Sequence, residues 1–277
     1  MEREVMKLVT KKLQDMGYTV CYIALYGSQN YNMKYEKSDY DYKALVIPSL
    51  DDIVYNRKPT STTIEHEWGG QVDIKDVRLM LDQWKKGAPN FMELLFTEWY
   101  DVPCPLFMSY FMQLRAKREE IAKANPKSTL KSMYGMMMEK FHALDHKYPA
   151  QAAEIEEKGY AAKQLCHLER IGAMMKRYYE LPYELLTNPF LDNSDHVVSL
   201  REDFLEAFSI KTREFEFTTV EEAKAFGQKW LDECKPIVDE CGSEFDGETY
   251  EFIDDMKGKI LKTAFRAELK EEEGLYE

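Results

Sequence analysis

Apolar residues recur at spacings of three and four over residues 1–17, where Val5, Leu8, Val9, Leu13 and Met16 line one side of a charged segment that Gly17 stops. That period predicts an amphipathic helix. The pattern then changes. Residues 19–26 are β-branched and aromatic, and residues 40–47 form a second such run ended by Pro48, so both read as strands. Residues 62–68 and 71–74 read as two short strands around Gly69-Gly70, a two-residue hairpin signal. Residues 75–86 return to helical spacing until Gly87-Ala88-Pro89, and residues 90–96 open a further helical turn or two.

The composition shifts near residue 105. Beyond it Pro, Gly and β-branched residues thin out, and residues 107–123, 128–147, 158–180, 220–233 and 247–269 carry helical spacing. Residues 182–217 are irregular, with room for short helices between Pro182, Pro189 and Asn193. Met133, Met136, Met137 and Met138 suit adaptable helix–helix packing. The pattern predicts an α+β module over residues 1–105 and a C-terminal helical module over residues 106–277.

A length of 277 residues with 44% hydrophobic positions suits one large or two ordinary globular domains. No apolar run approaches the ~20 residues a bilayer span needs. Residues 1–5 lack a signal-peptide core, so the expected compartment is the cytoplasm. Five cysteines in no metal or CxxC spacing read as free thiols. A net charge of −13 argues against a broad nucleic-acid-binding surface and favours a small nucleotide whose phosphates arrive with a metal.

The candidate chemistry starts at Gly27-Ser28, which closes the first strand, and resumes after ten intervening residues at Asp39-Tyr40-Asp41. Side chains alternate along a strand, so Asp39 and Asp41 are expected to point the same way. Two such carboxylates repel unless a cation lies between them. Oxygen-only ligands suit Mg²⁺, and a Gly-Ser turn offers N–H donors to the phosphates it carries. A third acid is needed where two ions clamp a phosphoryl group. Asp73 is favoured because it lies between Val72 and Ile74, with Asp76 read first as a helix cap and Glu65 or Glu67 as the remaining alternatives. A bland reading of Asp39-Tyr40-Asp41 is a solvent-facing strand edge. Lys163, His167 and Arg170, at i, i+4 and i+7, share a helix face and suit successive phosphates, against the plainer reading of a surface helix. Asn90 and Glu93 read equally as site residues and as a capping pair. His142 and His146, four apart, are read as surface or core residues rather than metal ligands.

Residues 23–76 resemble the polymerase-β-type nucleotidyltransferase signature: an apolar strand, Gly-Ser, an Asp-x-Asp, then a later strand with a third Asp. The segment Lys86-Gly87-Ala88-Pro89-Asn90-Phe91-Met92-Glu93-Leu94 resembles a Gly-Asn-Pro-Asn-x-x-Glu-x-Leu stretch of the nucleotidyltransferases predicted in bacteria and tailed phages, with Ala88 in place of the first Asn. Lys163 to Arg170 resembles the Lys-x-x-x-His-x-x-Arg stretch of that group, followed here by Ile171 where Leu is common.

The resemblance spans roughly residues 20–180. It implies a mixed sheet of nucleotidyltransferase type with flanking helices, and two Mg²⁺ ions, with Mn²⁺ as a substitute. It implies transfer of a nucleoside monophosphate from an NTP such as ATP to a hydroxyl, with release of pyrophosphate. Asp39 and Asp41 would hold both ions. Asp73 would hold one and help deprotonate the acceptor. Gly27, Ser28, Lys163, His167, Arg170, Asn90 and Glu93 would bind the nucleotide. The acceptor, whether small molecule, protein or RNA, is not specified by these motifs, and no membrane partner is implied. If the gene is a phage's, the compartment is the host cytoplasm. The competing reading is a nucleotide-binding regulatory module without turnover, against which the three clustered carboxylates argue.

Overall fold

A computed structural model describes residues 2–34, 36, 38–149, 151–212 and 217–272. The fold is α+β, with a five-stranded mixed sheet, flanking helices and a helical region that follows. The chain forms two compact units, one of residues 1–124 with 246–277 and one of residues 125–245.

In the first unit, helix α1 (Glu2–Asp15) precedes strands β1 (Thr19–Tyr26) and β2 (Asp41–Ile47), helix α2 (Leu50–Val54), and strands β3 (Ser61–Glu65) and β4 (Gln71–Asp76). Helices α3 (Val77–Lys85) and α4 (Pro89–Met92), a 3₁₀ turn at Glu93–Leu95 and the short strand β5 (Tyr100–Asp101) follow. The sheet order is β3-β4-β2-β1-β5. β2 runs antiparallel to β1 and parallel to β4, and β3 and β5 are antiparallel edge strands.

Strand alternation assigns the two faces. Ile23, Leu25, Tyr42, Ala44, Val46, Val72 and Ile74 pack with Val5, Met6, Val9 and Leu13 of α1 in one buried cluster. A bulge between Val20 and Tyr22 adds one residue to β1, so Val20 and Ile23, three apart, both face that cluster. The opposite face therefore carries Tyr26, Asp41, Lys43, Gln71, Asp73 and Lys75. At its inner end Tyr22 stacks on Phe111, with ring centroids 4.8 Å apart, and its hydroxyl donates to the Leu94 carbonyl at 2.7 Å. Arg115 donates to the Tyr22 hydroxyl at 3.1 Å and to the Leu94 and Thr97 carbonyls at 3.3 and 2.9 Å. These bonds fix the Glu93–Leu95 turn against the sheet. Burial pushes the Tyr22 hydroxyl up to about 12.

Helices α5 (Met108–Ala116) and α6 (Arg118–Lys123) complete this part of the first unit. The second unit contains α7 (Pro126–His142), α8 (Ala152–Lys158), α9 (Ala162–Lys176), α10 (Tyr183–Thr187), α11 (Val198–Thr212) and α12 (Val220–Glu240), and α9 packs on α7, α11 and α12. The last helix, α13 (Gly247–Glu272), belongs to the first unit. Lys85 pairs with Asp254 at 2.6 Å, Lys257 pairs with Asp82 at 2.7 Å, and Glu268 accepts the Leu50 N–H at 2.9 Å.

Several expected boundaries differ. The compact units do not divide at residue 105, because α13 packs back on α3, α5 and α6. A composition shift reports helix content and is silent about packing partners. The expected helix over 107–123 is divided at Lys117, and that over 158–180 begins only after the turn at Gly159. Within 182–217, α11 is a full helix whose buried Leu200, Phe204, Ala207 and Ile210 are spaced by three and four, and residues 213–216 lie outside the described residues. The hairpin loop spans residues 66–70 rather than two residues, since Glu65 pairs with Gln71. All five cysteines are free thiols. Among the described residues, no helix is long and apolar enough to cross a membrane.

Candidate functional site

The hairpin loop sets the entry to β2. The Tyr40 N–H donates to the Gly69 carbonyl at 3.0 Å, and His66 Nε2 donates to the Tyr40 carbonyl at 2.7 Å. Gly70 has φ +128°, and a Cβ there would lie 2.3 Å from the Tyr40 oxygen, so only glycine admits this contact. This clamp begins the strand at Asp41. Asp39 lies on the exposed segment before it, so strand alternation does not place its side chain beside that of Asp41, contrary to the expectation from sequence. The Asp39 carbonyl accepts the Gln29 side-chain amide at 3.1 Å.

β2 and β4 pair in parallel with Lys43 beside Asp73. Neighbours in register share a face, so Asp41, Lys43, Asp73 and Lys75 lie together on the polar side of the sheet. Asp41 is half-buried and accepts the Gln71 N–H at 3.2 Å. Asp73 lies 3.1 Å from the Lys75 ammonium, which also donates to Ser61 Oγ at 2.8 Å. Lys43 is buried, and its ammonium lies 3.1 Å from the centroid of the Tyr26 ring and 5.5 Å from that of Phe91. Burial lowers the Lys43 pKa, while Glu93, Asp73 and Asp41 oppose the shift in that order. Burial, then the Asp41 charge, raises that of Tyr26.

Beside these groups β1 ends in a turn. Gly27 has φ +85°, a left-handed conformation that costs any other residue strain. Its N–H donates to Glu93 Oε2 at 3.3 Å. Asn30 donates to the Leu25 carbonyl at 2.9 Å and accepts from Thr97 Oγ1 at 2.8 Å, which ties the turn to the segment after Glu93. Ser28 Oγ lies 3.4 Å from Ser38 Oγ.

The structure decides the capping question at Asn90 and Glu93. The N-cap of α4 is Ala88, with no side-chain cap, and Asn90 is exposed. Glu93 is only 4% exposed and faces the Gly27 turn. Asp76 is the cap expected of it, accepting the Arg78 N–H at 2.8 Å at the start of α3, while Glu65 and Glu67 are exposed. Lys43 and Lys75 were not singled out from sequence. The signal available for them was the same period of two, which puts Lys43 on the face of Asp41 and Lys75 on that of Asp73.

Among the described residues, no group of three or more His, Cys, Asp and Glu side chains could hold a metal ion. Asp41 and Asp73, on adjacent strands, still offer the oxygen chemistry of a hard cation. Mg²⁺ is held by one or two carboxylates with phosphate and water completing its shell.

In the second unit Lys163 is exposed, His167 half-buried and Arg170 buried. Arg170 donates to His167 Nδ1 at 3.5 Å and to Met174 Sδ at 3.7 Å. Burial, then the charges of Arg170, Lys163, Lys140 and Lys211, holds His167 well below its usual range and so neutral. The basic row thus extends beyond α9 to α7 and α11. His142 ends α7, and His146 lies past it against Tyr148, with ring centroids 4.1 Å apart, so the two share no helix face. On α9, Glu169 is fully buried and neither carboxyl oxygen has a hydrogen-bond partner among the described residues. Burial, then Glu206 and Asp203, pushes it up to about 9.

No protein-family model matches the chain. No curated protein matches it. Among solved structures it is similar to a nucleotidyltransferase-like protein from Exiguobacterium sibiricum 255-15, crystallised at 1.90 Å resolution. That match is 10% identical and covers 84% of this chain and 73% of the other, with a TM-score of 0.32. A score that low carries neither fold nor function.

Proposed function

We propose that the chain is a Mg²⁺-dependent nucleotidyltransferase that moves a nucleoside monophosphate from an NTP to a hydroxyl acceptor. The observation that carries this reading is the register of β2 on β4, which sets Asp41 and Asp73 on one face beside a glycine turn whose N–H already binds an oxyanion, the Glu93 carboxylate. A phosphate oxygen offers the same acceptor chemistry to Gly27 and Ser28.

Asp41 and Asp73 would hold Mg²⁺, which supplies charge neutralisation at the phosphoryl group when bound. Asp39, on the segment leading into β2, is the third candidate ligand. The Gly27 N–H and Ser28 hydroxyl bind the outer phosphates. Asp73 takes the proton of the acceptor hydroxyl. The acceptor oxygen forms its bond to the α-phosphorus as the bond to the β-phosphate oxygen breaks, and pyrophosphate leaves with that electron pair. Lys163, His167 and Arg170, on α9 of the second unit, form a separate candidate phosphate-binding row.

The Asp73–Lys75 pair favours one other reading. A site that neutralises its own carboxylates could hold a nucleotide without turnover. The two separate in one experiment. The chain is incubated with α-³²P-labelled NTPs and Mg²⁺ against cell lysate, tRNA and small hydroxyl compounds. Transfer of label to one fraction supports the enzyme. Nucleotide binding with no transfer to any fraction supports the binding module.

A further inference from the structure

The sheet face that holds Asp41 and Asp73 also holds two ammonium groups. Lys43 lies two residues along β2 from Asp41 and directly beside Asp73 in the parallel register. Lys75 lies two residues along β4 from Asp73 and contacts it at 3.1 Å. A lysine buried to 5% exposure is uncommon unless something on the protein favours its charge. Here the support is partly aromatic: the ammonium lies 3.1 Å from the Tyr26 ring centroid, within cation–π range. The Lys75 ammonium lies 5.9 Å from the Phe91 centroid, the ring that Lys43 also approaches. The rings therefore hold cations in place on a face lined by acids.

Two divalent ions need a set of acids gathered around them. The face has Asp41 and Asp73, and Asp39 precedes the strand and is exposed. Among the described residues no set of three ligating side chains is assembled. Two ammonium groups together carry the charge of one divalent ion, and they lie on the same sheet face as both carboxylates, with Lys75 in contact with Asp73. We propose that Lys43, backed by Lys75, takes the place of one of the two divalent ions, so that the site binds a single ion with its nucleotide. This rests on the nucleotidyltransferase reading above and narrows it to a one-ion form. Lys43 is then a resident cation on the face of Asp41 and Asp73, held against Tyr26 and Phe91, and it does not depend on metal concentration.

The test counts ions rather than turnover. Electron paramagnetic resonance measures the Mn²⁺ bound by the full chain, with a mixture of the four α,β-methylene nucleoside triphosphates, which resist transfer. The expected count is one Mn²⁺ per chain for the wild type and for Lys43→Arg, and two for Lys43→Met, whose side chain keeps the volume and loses the charge. Circular dichroism confirms that each variant is folded. Two Mn²⁺ on the wild type overturn the proposal even if Lys43→Met fails to fold. A folded Lys43→Met that keeps the wild-type count, or loses Mn²⁺ altogether, overturns it too, because Lys43 then replaces no ion. If the wild type binds neither Mn²⁺ nor any analogue, the nucleotidyltransferase reading itself fails and this inference falls with it.

Discussion

Glu93 and Glu169 are both buried carboxylates on helical segments, and the chain treats them in opposite ways. Glu93, at the edge of the sheet, accepts a backbone N–H from a left-handed glycine and faces the Lys43 ammonium. Glu169, inside the helical unit, has no hydrogen-bond partner among the described residues and faces two further acids, Glu206 and Asp203, which outweigh the opposing charge of Lys176. Desolvation disfavours the charged form of any buried acid, so the Glu169 carboxyl is pushed up to about 9. A buried acid surrounded by donors and cations marks a place built for charge. A buried acid with neither is a neutral polar group inside a helix bundle. Burial alone does not identify a functional residue, and its partners do.

The comparison breaks most visibly at the acids of the sheet. Asp41→Asn and Asp73→Asn are each expected to lower transfer by about 100-fold or more, the scale of removing one group that stabilises the transition state. Asn at position 41 keeps an oxygen for the Gln71 N–H, so melting without Mg²⁺ should be unchanged or slightly higher for that variant. A large fall in melting temperature for Asp41→Asn would make Asp41 structural.

Glu169 gives a pH-dependent effect instead. Its folded pKa of about 9 lies above the ordinary 4.5, so between those values the folded chain keeps a proton that the unfolded chain has lost. Stability from this group is therefore full below about pH 4.5 and is lost as pH rises towards 9, by up to about 1.4 kcal/mol per pH unit. Asp203 shares the neighbourhood, and burial raises it as well, so it adds to the loss of stability as pH rises. Glu169→Gln should flatten the pH dependence and raise stability near pH 8 in denaturant melts, without altering nucleotide affinity. An unchanged slope would mean that Glu169 is ionised in the fold.

Gly70 tests how the sheet site is positioned. Alanine there meets the Tyr40 oxygen at 2.3 Å in a left-handed backbone, which costs about 1–3 kcal/mol and displaces the strand entry that carries Asp41. Chemical denaturation should show that loss, and transfer should fall with it. Wild-type stability in Gly70→Ala would show that the hairpin loop does not clamp β2.

The smallest effect is expected at Lys163, which is exposed. Lys163→Ala should leave stability within about 0.5 kcal/mol and weaken NTP binding several-fold in calorimetry. Unchanged affinity would leave the α9 row with a structural role only.

The sheet strands were legible because period-two runs such as Tyr42, Ala44 and Val46 bury one face, and Asp73 followed from the same alternation. What sequence could not place was decided by non-local contacts. The strand does not extend to Asp39 because the hairpin loop at residues 66–70 clamps Tyr40. Ala88 rather than Asn90 caps α4, while Glu93 is drawn to Gly27 across the chain. Helix α13 has the same spacing as the helices before it, and its packing on α3, α5 and α6, with its pairs to Asp82 and Lys85, assigns it to the first unit. Lys43 and Lys75 were readable by alternation, yet a lysine on a strand reads as solvent-facing until burial is known.

The central claim is that the polar face of the sheet binds a triphosphate through a divalent ion. Calorimetry with ATP, GTP, CTP and UTP, each with Mg²⁺ and with EDTA, tests it most directly. Binding of at least one NTP with Mg²⁺, lost with EDTA and lost in Asp41→Asn and Asp73→Asn, is the expected result. Equal affinity in EDTA, or full affinity in both variants, would contradict the account.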